Sequence, residues 1–125
     1  MAGGRDSKGK LLETPVQSII LDHLTREGVF CWRSQPTPVP IRRGRIISGL
    51  RAVPHQLKGM PDIMCIYKGN FVGIEVKRES GGKQTPEQLS WQKRVLSEGG
   101  YYTLASSWKE VQIFFYMQFG AHFQV

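Results

Sequence analysis

Acidic residues are missing from a long stretch of this chain: none lies between Glu27 and Asp62. Cysteine and histidine are scarce, with two and three residues in 125. Cys31 and Cys65 sit far apart, with no CxxC and no Cys/His ligand spacing, which argues against structural zinc. Both fall in apolar runs and read as buried thiols rather than a disulfide, so a reducing, intracellular setting is the default expectation. Long hydrophobic runs are absent too. The longest, Ile113 to Met117, is far too short to cross a bilayer, so no membrane partner is expected. Residues 1–10 are polar and Gly-rich; they read as a flexible basic tail and not as a secretory signal.

What remains is a basic chain of single-domain size. Lys and Arg number 17 against 10 Asp and Glu, a formal net charge of +7. Hydrophobic residues at 40% and aromatics at 10% suit a folded globule, and residues 11–125 are expected to form one domain. The acid-free stretch holds Arg33, Arg42, Arg43, Arg45, Arg51 and Lys58, with His55 among them and prolines at 36, 38, 40 and 54. Proline at that density opposes helix and favours an extended, semi-rigid arm. Such an arm lays guanidinium groups along a phosphate backbone, which makes nucleic acid the leading partner class. The bland alternative is an ordinary surface loop with solvated charges.

Thr14-Pro15-Val16-Gln17 has the form of a helix start, with Thr14 as N-cap and Gln17 at the capping-box position. Val16, Ile19, Ile20 and Leu24 continue at helical spacing to Gly28. Strands are expected over 29–33, 63–67, 71–77 and 101–105, with a further short one at 45–48. Lys68-Gly69-Asn70 marks a hairpin turn. Thr85-Pro86-Glu87-Gln88 repeats the first cap and opens a helix to about Glu98, and Ser107 to Glu110 forms a third box before a last helix. The order is that of a mixed α/β domain, a small sheet flanked by helices.

The hairpin carries the sharpest chemistry. Folding it about Gly69 sets Asp62, at the start of its first strand, opposite residue 75 or 76 at the end of the second. Neighbouring strands lie about 4.8 Å apart. Two carboxylates that close repel, and a divalent cation relieves the repulsion. Val72, Ile74 and Val76 alternate with Gly73, Glu75 and Lys77, so the first set should face the core and the second an open face. Oxygen donors from Asp62, Glu75 and the Val76 carbonyl favour Mg²⁺, with Mn²⁺ as substitute, over zinc. A lysine beside such an ion can orient water or stabilise developing phosphate charge. Cation, carboxylates, lysine and a basic arm together describe phosphodiester hydrolysis. Taken alone, Glu75 and Lys77 would be an unremarkable surface ion pair.

In order along the chain, Glu13-Thr-Pro-Val-Gln17, Lys58-Gly-Met-Pro-Asp62-Ile, Glu75-Val-Lys77 and Gln84-Thr-Pro-Glu-Gln88-Leu-Ser-Trp91 resemble the virus-type replication-repair nuclease (VRR-NUC) domain of the PD-(D/E)XK superfamily. The resemblance spans about Glu13 to Val111. It implies a restriction-endonuclease-like core, with Asp62, Glu75 and the Val76 carbonyl as metal ligands and Lys77 as the catalytic lysine. Glu13 would be an additional acidic ligand, although a helix dipole alone would favour an acid there. Gln88 would line the site, although capping geometry alone would explain it; Gln17 fits that same geometry. Trp91 and Trp32 could pack or stack on a base, and His55 could touch phosphate. Stand-alone domains of this kind resemble junction-resolving enzymes of phages and bacteria. The expectation is thus a cytoplasmic, Mg²⁺-dependent endonuclease on branched double-stranded DNA. A four-way junction is two-fold symmetric and needs two sites, hence a homodimer, to which Phe114, Phe115, Met117, Phe119 and Phe123 could contribute if they do not complete the monomer core. Alternatives are a nuclease acting on flap, nicked or linear DNA, and a non-catalytic DNA-binding module.

Overall fold

The computed structural model describes residues 4–34, 39–44, 46–51 and 58–124. Helix α1 (Glu13–Arg26) leads into strand β1 (Phe30–Arg33), followed by β2 (Val39–Arg43), β3 (Ile46–Arg51), β4 (Ile63–Tyr67) and β5 (Asn70–Val76). Helix α2 (Pro86–Ser97), strand β6 (Tyr101–Ala105) and helix α3 (Trp108–Phe119) complete the chain. The fold is α/β, built on a four-stranded mixed sheet in the order β1-β4-β5-β6. The pairs β1/β4 and β4/β5 are antiparallel, and β5/β6 is parallel, joined through α2.

The β4–β5 hairpin forms where expected. Lys68 and Gly69 both take positive φ, 48° and 84°, the twist a two-residue hairpin turn needs. Ile63 pairs with Ile74, so one step further Asp62 lies opposite Glu75. Val72, Ile74 and Val76 are fully buried and meet Val16, Ile20 and Leu24 of α1 and Val111 and Phe115 of α3 in one core. The expected open face of β5 is closed: Glu75 and Lys77 are only 2% and 6% exposed. A Cβ on Gly73 would stand 2.8 Å from Pro61 Cγ and 3.4 Å from Tyr102 Cδ2. The missing side chain at Gly73 therefore admits Pro61 and Tyr102 rather than solvent.

Two local expectations shift. Leu12, not Thr14, is the N-cap of α1 and makes no side-chain cap bond, so Glu13 opens the helix and Gln17 is a buried residue within it. The basic stretch is no single extended arm, because β2 and β3 pair as an antiparallel ribbon with a bulge at Ile41/Arg42. Pro40 is tolerated there since a two-stranded ribbon has only edge strands. Residues 4–11 close as a loop through an Arg5–Leu11 bridge, with Asp6 Oδ1 accepting from the Lys8 and Lys10 amides. Glu79 then holds Leu11 twice, by its own N–H to the Leu11 carbonyl and by Oε1 to the Leu11 N–H.

The C-terminal aromatics serve the monomer. Phe115 is fully buried, and Phe119 and Phe123 close around it and Tyr67 with ring centroids 5.1 to 6.0 Å apart. Only Met117 of the set expected at an interface stands well out, at 72% exposure. Among the described residues no helix is long and apolar enough to cross a membrane.

Candidate functional site

The end of β5 and the start of α2 converge on one polar cluster. Asp62 enters it from the residue before β4, behind the buried Pro61, and its Oδ2 accepts from the Val76 N–H at 2.8 Å. That bond continues the hairpin ladder past its last strand pair. It fixes the Asp62 carboxylate at the open end, where the register of β4 and β5 directs it.

Glu75 and Lys77 leave β5 on the face opposite the apolar core. Lys77 Nζ stands 3.9 Å from Glu75 Oε2. Gln88 ties the two together: its Nε2 donates to Glu75 Oε2 at 2.6 Å, and its Oε1 accepts from Lys77 Nζ at 2.9 Å. The same Oε1 accepts from the Thr85 N–H at 2.9 Å, while the Gln88 N–H donates to Thr85 Oγ1 at 3.1 Å. The capping box thus forms as expected, and its glutamine also reaches the site. Lys77 Nζ makes a further bond to the Lys83 carbonyl at 3.1 Å.

Electrostatically, the cluster is short of positive charge. Burial, and next the neighbouring Asp62 carboxylate, push the Glu75 carboxyl up to about 9, and Lys77 offsets this only in part. Among the described residues Glu75 Oε1 is buried without a hydrogen-bond partner. The Tyr102 hydroxyl is also buried and without a partner, and burial followed by the nearby Glu75 pushes it up to about 12. Tyr102 escaped the sequence reading. It joins the site because parallel pairing sets it beside Gly73, and no local pattern announces the register of a parallel strand.

Glu13 stands apart. It is exposed at the start of α1, lining with Arg78 and Lys83 a neighbouring cleft of about 450 Å³. Among the described residues no three His, Cys, Asp or Glu side chains gather as a metal cluster. A cation here would rest on Asp62, Glu75 and a main-chain oxygen such as that of Val76. That donor set fits Mg²⁺, which binds through one or two carboxylates and keeps several waters.

Of the expected DNA-contacting residues, Lys58 is exposed. Arg33 differs: its Nη2 donates to Ser18 Oγ of α1 at 3.1 Å and its Nε is buried, so it is turned into the domain. Arg42, Arg43 and Arg51 lie on the β2–β3 ribbon. Arg45 and His55 fall outside the described residues. Trp91 is half-buried on α2, and Trp32 is exposed on β1 beside Phe30. No family model and no curated protein matches the chain.

Proposed function

We propose that this protein is a Mg²⁺-dependent, structure-specific DNA endonuclease that hydrolyses phosphodiester bonds, with a PD-(D/E)XK core of the VRR-NUC type. One observation carries the reading: Gln88 joins Glu75 and Lys77 by hydrogen bonds of 2.6 and 2.9 Å in a nearly closed cluster that Asp62 completes. A lysine and glutamate paired only for surface solvation would not be buried to this degree.

Asp62, Glu75 and the Val76 carbonyl would hold Mg²⁺, or Mn²⁺ in its place. When bound, the cation supplies Lewis-acid stabilisation of the phosphate and lowers the pKa of a bound water. Lys77 brings a fixed ammonium to the reacting phosphate, held by Gln88 Oε1 and the Lys83 carbonyl. That ammonium orients the attacking water and stabilises charge developing on the phosphoryl oxygens as the P–O bond breaks. Gln88 keeps Lys77 and Glu75 in register with each other. The ribbon residues Arg42, Arg43 and Arg51, with Arg45 and Lys58, supply cations for the DNA backbone.

The four-way junction is the preferred substrate because the likeness runs to junction-resolving enzymes, and its two-fold symmetry calls for a homodimer. The test uses labelled four-way, flap and linear duplex DNA, with Mg²⁺ or EDTA, beside Lys77→Ala. Mg²⁺-dependent cutting of the junction that disappears in the variant is the expected result. Cutting of flaps alone would reassign the substrate, and no Mg²⁺-dependent cutting of any substrate would sink the enzyme reading.

A further inference from the structure

The two cysteines, far apart in sequence, face each other across β1 and β4. Cys31 is the register partner of Cys65. The Ser34 N–H donates to the Asp62 carbonyl at 2.9 Å, which makes Ser34/Asp62 a hydrogen-bonded antiparallel pair. Hydrogen-bonded and non-hydrogen-bonded pairs alternate along the ladder, so three steps back Cys31/Cys65 is a non-hydrogen-bonded pair. Such pairs bring Cα atoms to about 4.5 Å with side chains close together. A disulfide spans Cα separations of about 4.4 to 6.8 Å. Both side chains project to the same face, where Cys65 is fully buried and Cys31 is half-buried, its Sγ 3.8 Å from Thr25 Oγ1.

We propose that Cys31 and Cys65 form a peroxide-reactive dithiol that closes reversibly into a cross-strand disulfide. The roles are unequal. Cys31 is the accessible thiol, and the Cys65 thiol beside it holds Cys31 down at about 7, while Cys65 itself is pushed up. A thiolate is the nucleophile, so Cys31 attacks first. Its lone pair takes the terminal oxygen of a hydroperoxide, the O–O bond breaks, and Cys31 becomes a sulfenic acid as the peroxide is reduced to water or alcohol. The Cys65 sulfur then attacks the Cys31 sulfur, the S–O bond breaks, and the departing hydroxide leaves as water with the Cys65 proton. With hydrogen peroxide, the dithiol and one peroxide give one disulfide and two waters. The closed loop would contain most of the acid-free segment and pin β1 and β4 to each other.

The test treats the folded full-length chain with stoichiometric hydrogen peroxide, blocks remaining thiols with a maleimide, and reads intact mass and cross-linked peptides. Loss of both thiols, a mass lower by two hydrogens, a Cys31–Cys65 peptide and full reversal by dithiothreitol are expected. Cys65→Ala should stop Cys31 at the sulfenic acid, trapped by dimedone. The wild-type measurement stands even if that variant fails to fold. Survival of both thiols, oxygen adducts on Cys31 without a cross-link, or a bond between two chains would overturn the proposal. None of these readouts depends on nuclease activity.

Discussion

Gln88 donates to Glu75 across 2.6 Å from a side chain whose oxygen also closes the capping box of α2. One residue thereby joins the start of a helix to the interior of a sheet. Two variants separate its roles. Thr85→Ala removes the hydroxyl that accepts from the Gln88 N–H and should cost about 1 kcal/mol in urea unfolding, with cleavage near wild type. Gln88→Ala should cost a similar amount and in addition lower cleavage by about 10²-fold, since Lys77 and Glu75 lose their common partner. Equal losses of activity in the two would mean that Gln88 acts only as a cap.

Lys77→Met keeps the length and apolar stem of the side chain and removes its charge. Cleavage should fall by about 10²- to 10³-fold while Mn²⁺ still binds, as measured by calorimetry on the DNA-free protein. Asp62→Asn should lose both, because it removes a proposed ligand.

The pH behaviour follows from Glu75. Its carboxyl, raised to about 9 in the fold, keeps a proton at neutral pH that the unfolded chain releases near the ordinary 4.5. The folded state therefore binds more protons between those values. The resulting stability is fully present below about 4.5 and is lost as pH rises through about 9. Thermal midpoints in EDTA should decline across that window, and Glu75→Gln should flatten the decline. A cation settling on Glu75 must displace the same proton, so Mg²⁺ affinity should rise with pH. Calorimetry in two buffers of different ionisation enthalpy reads the released proton directly; its absence at pH 7 would remove Glu75 from the metal site.

Most of this site was legible. The turn at Lys68-Gly69 fixes the register of β4 on β5, and that register alone brings Asp62 to Glu75. Thr85-Pro86-Glu87-Gln88 fixes the start of α2 in the same way. What escaped depends on contacts between distant segments. Alternation correctly separates Ile74 from Glu75 but does not reveal that Pro61 and Tyr102 seal the second face. Thr14 has the chemistry of a cap, yet the helix begins earlier, because residues 4–11 are drawn back to Glu79 and the chain enters α1 through Leu12. The apolar C-terminal segment carries mass enough for core or interface, and only the aromatic cluster around Phe115 assigns most of it to the core.

Two glycines of similar backbone conformation should respond differently to alanine. Gly59 and Gly69 have φ of 82° and 84°. A Cβ at Gly69 meets nothing within 4 Å, so Gly69→Ala should cost about 1 kcal/mol from backbone conformation alone. At Gly59 the Cβ would stand 2.4 Å from the Glu87 carbonyl carbon, in the first turn of α2. Gly59→Ala should cost at least about 2 kcal/mol more, since backbone rather than a flexible side chain must give way. Urea denaturation of the pair checks the difference.

Neutralising Arg42, Arg43 and Arg45 together should weaken binding to any duplex and flatten its salt dependence by about one unit of slope per lost phosphate contact. An unchanged slope would place the DNA backbone elsewhere on the surface.

The sheet order has a kinetic consequence. Asp62, Glu75, Lys77 and Gln88 come from one unbroken stretch of chain, through a local hairpin and the helix after it. The β1 strand reaches its place beside β4 only across the intervening residues 34–62. Short-range pairings close with less entropy lost than long-range ones. The hairpin is thus the natural nucleus and β1 a late arrival, so substitutions in the hairpin should slow folding while those in β1 mainly hasten unfolding.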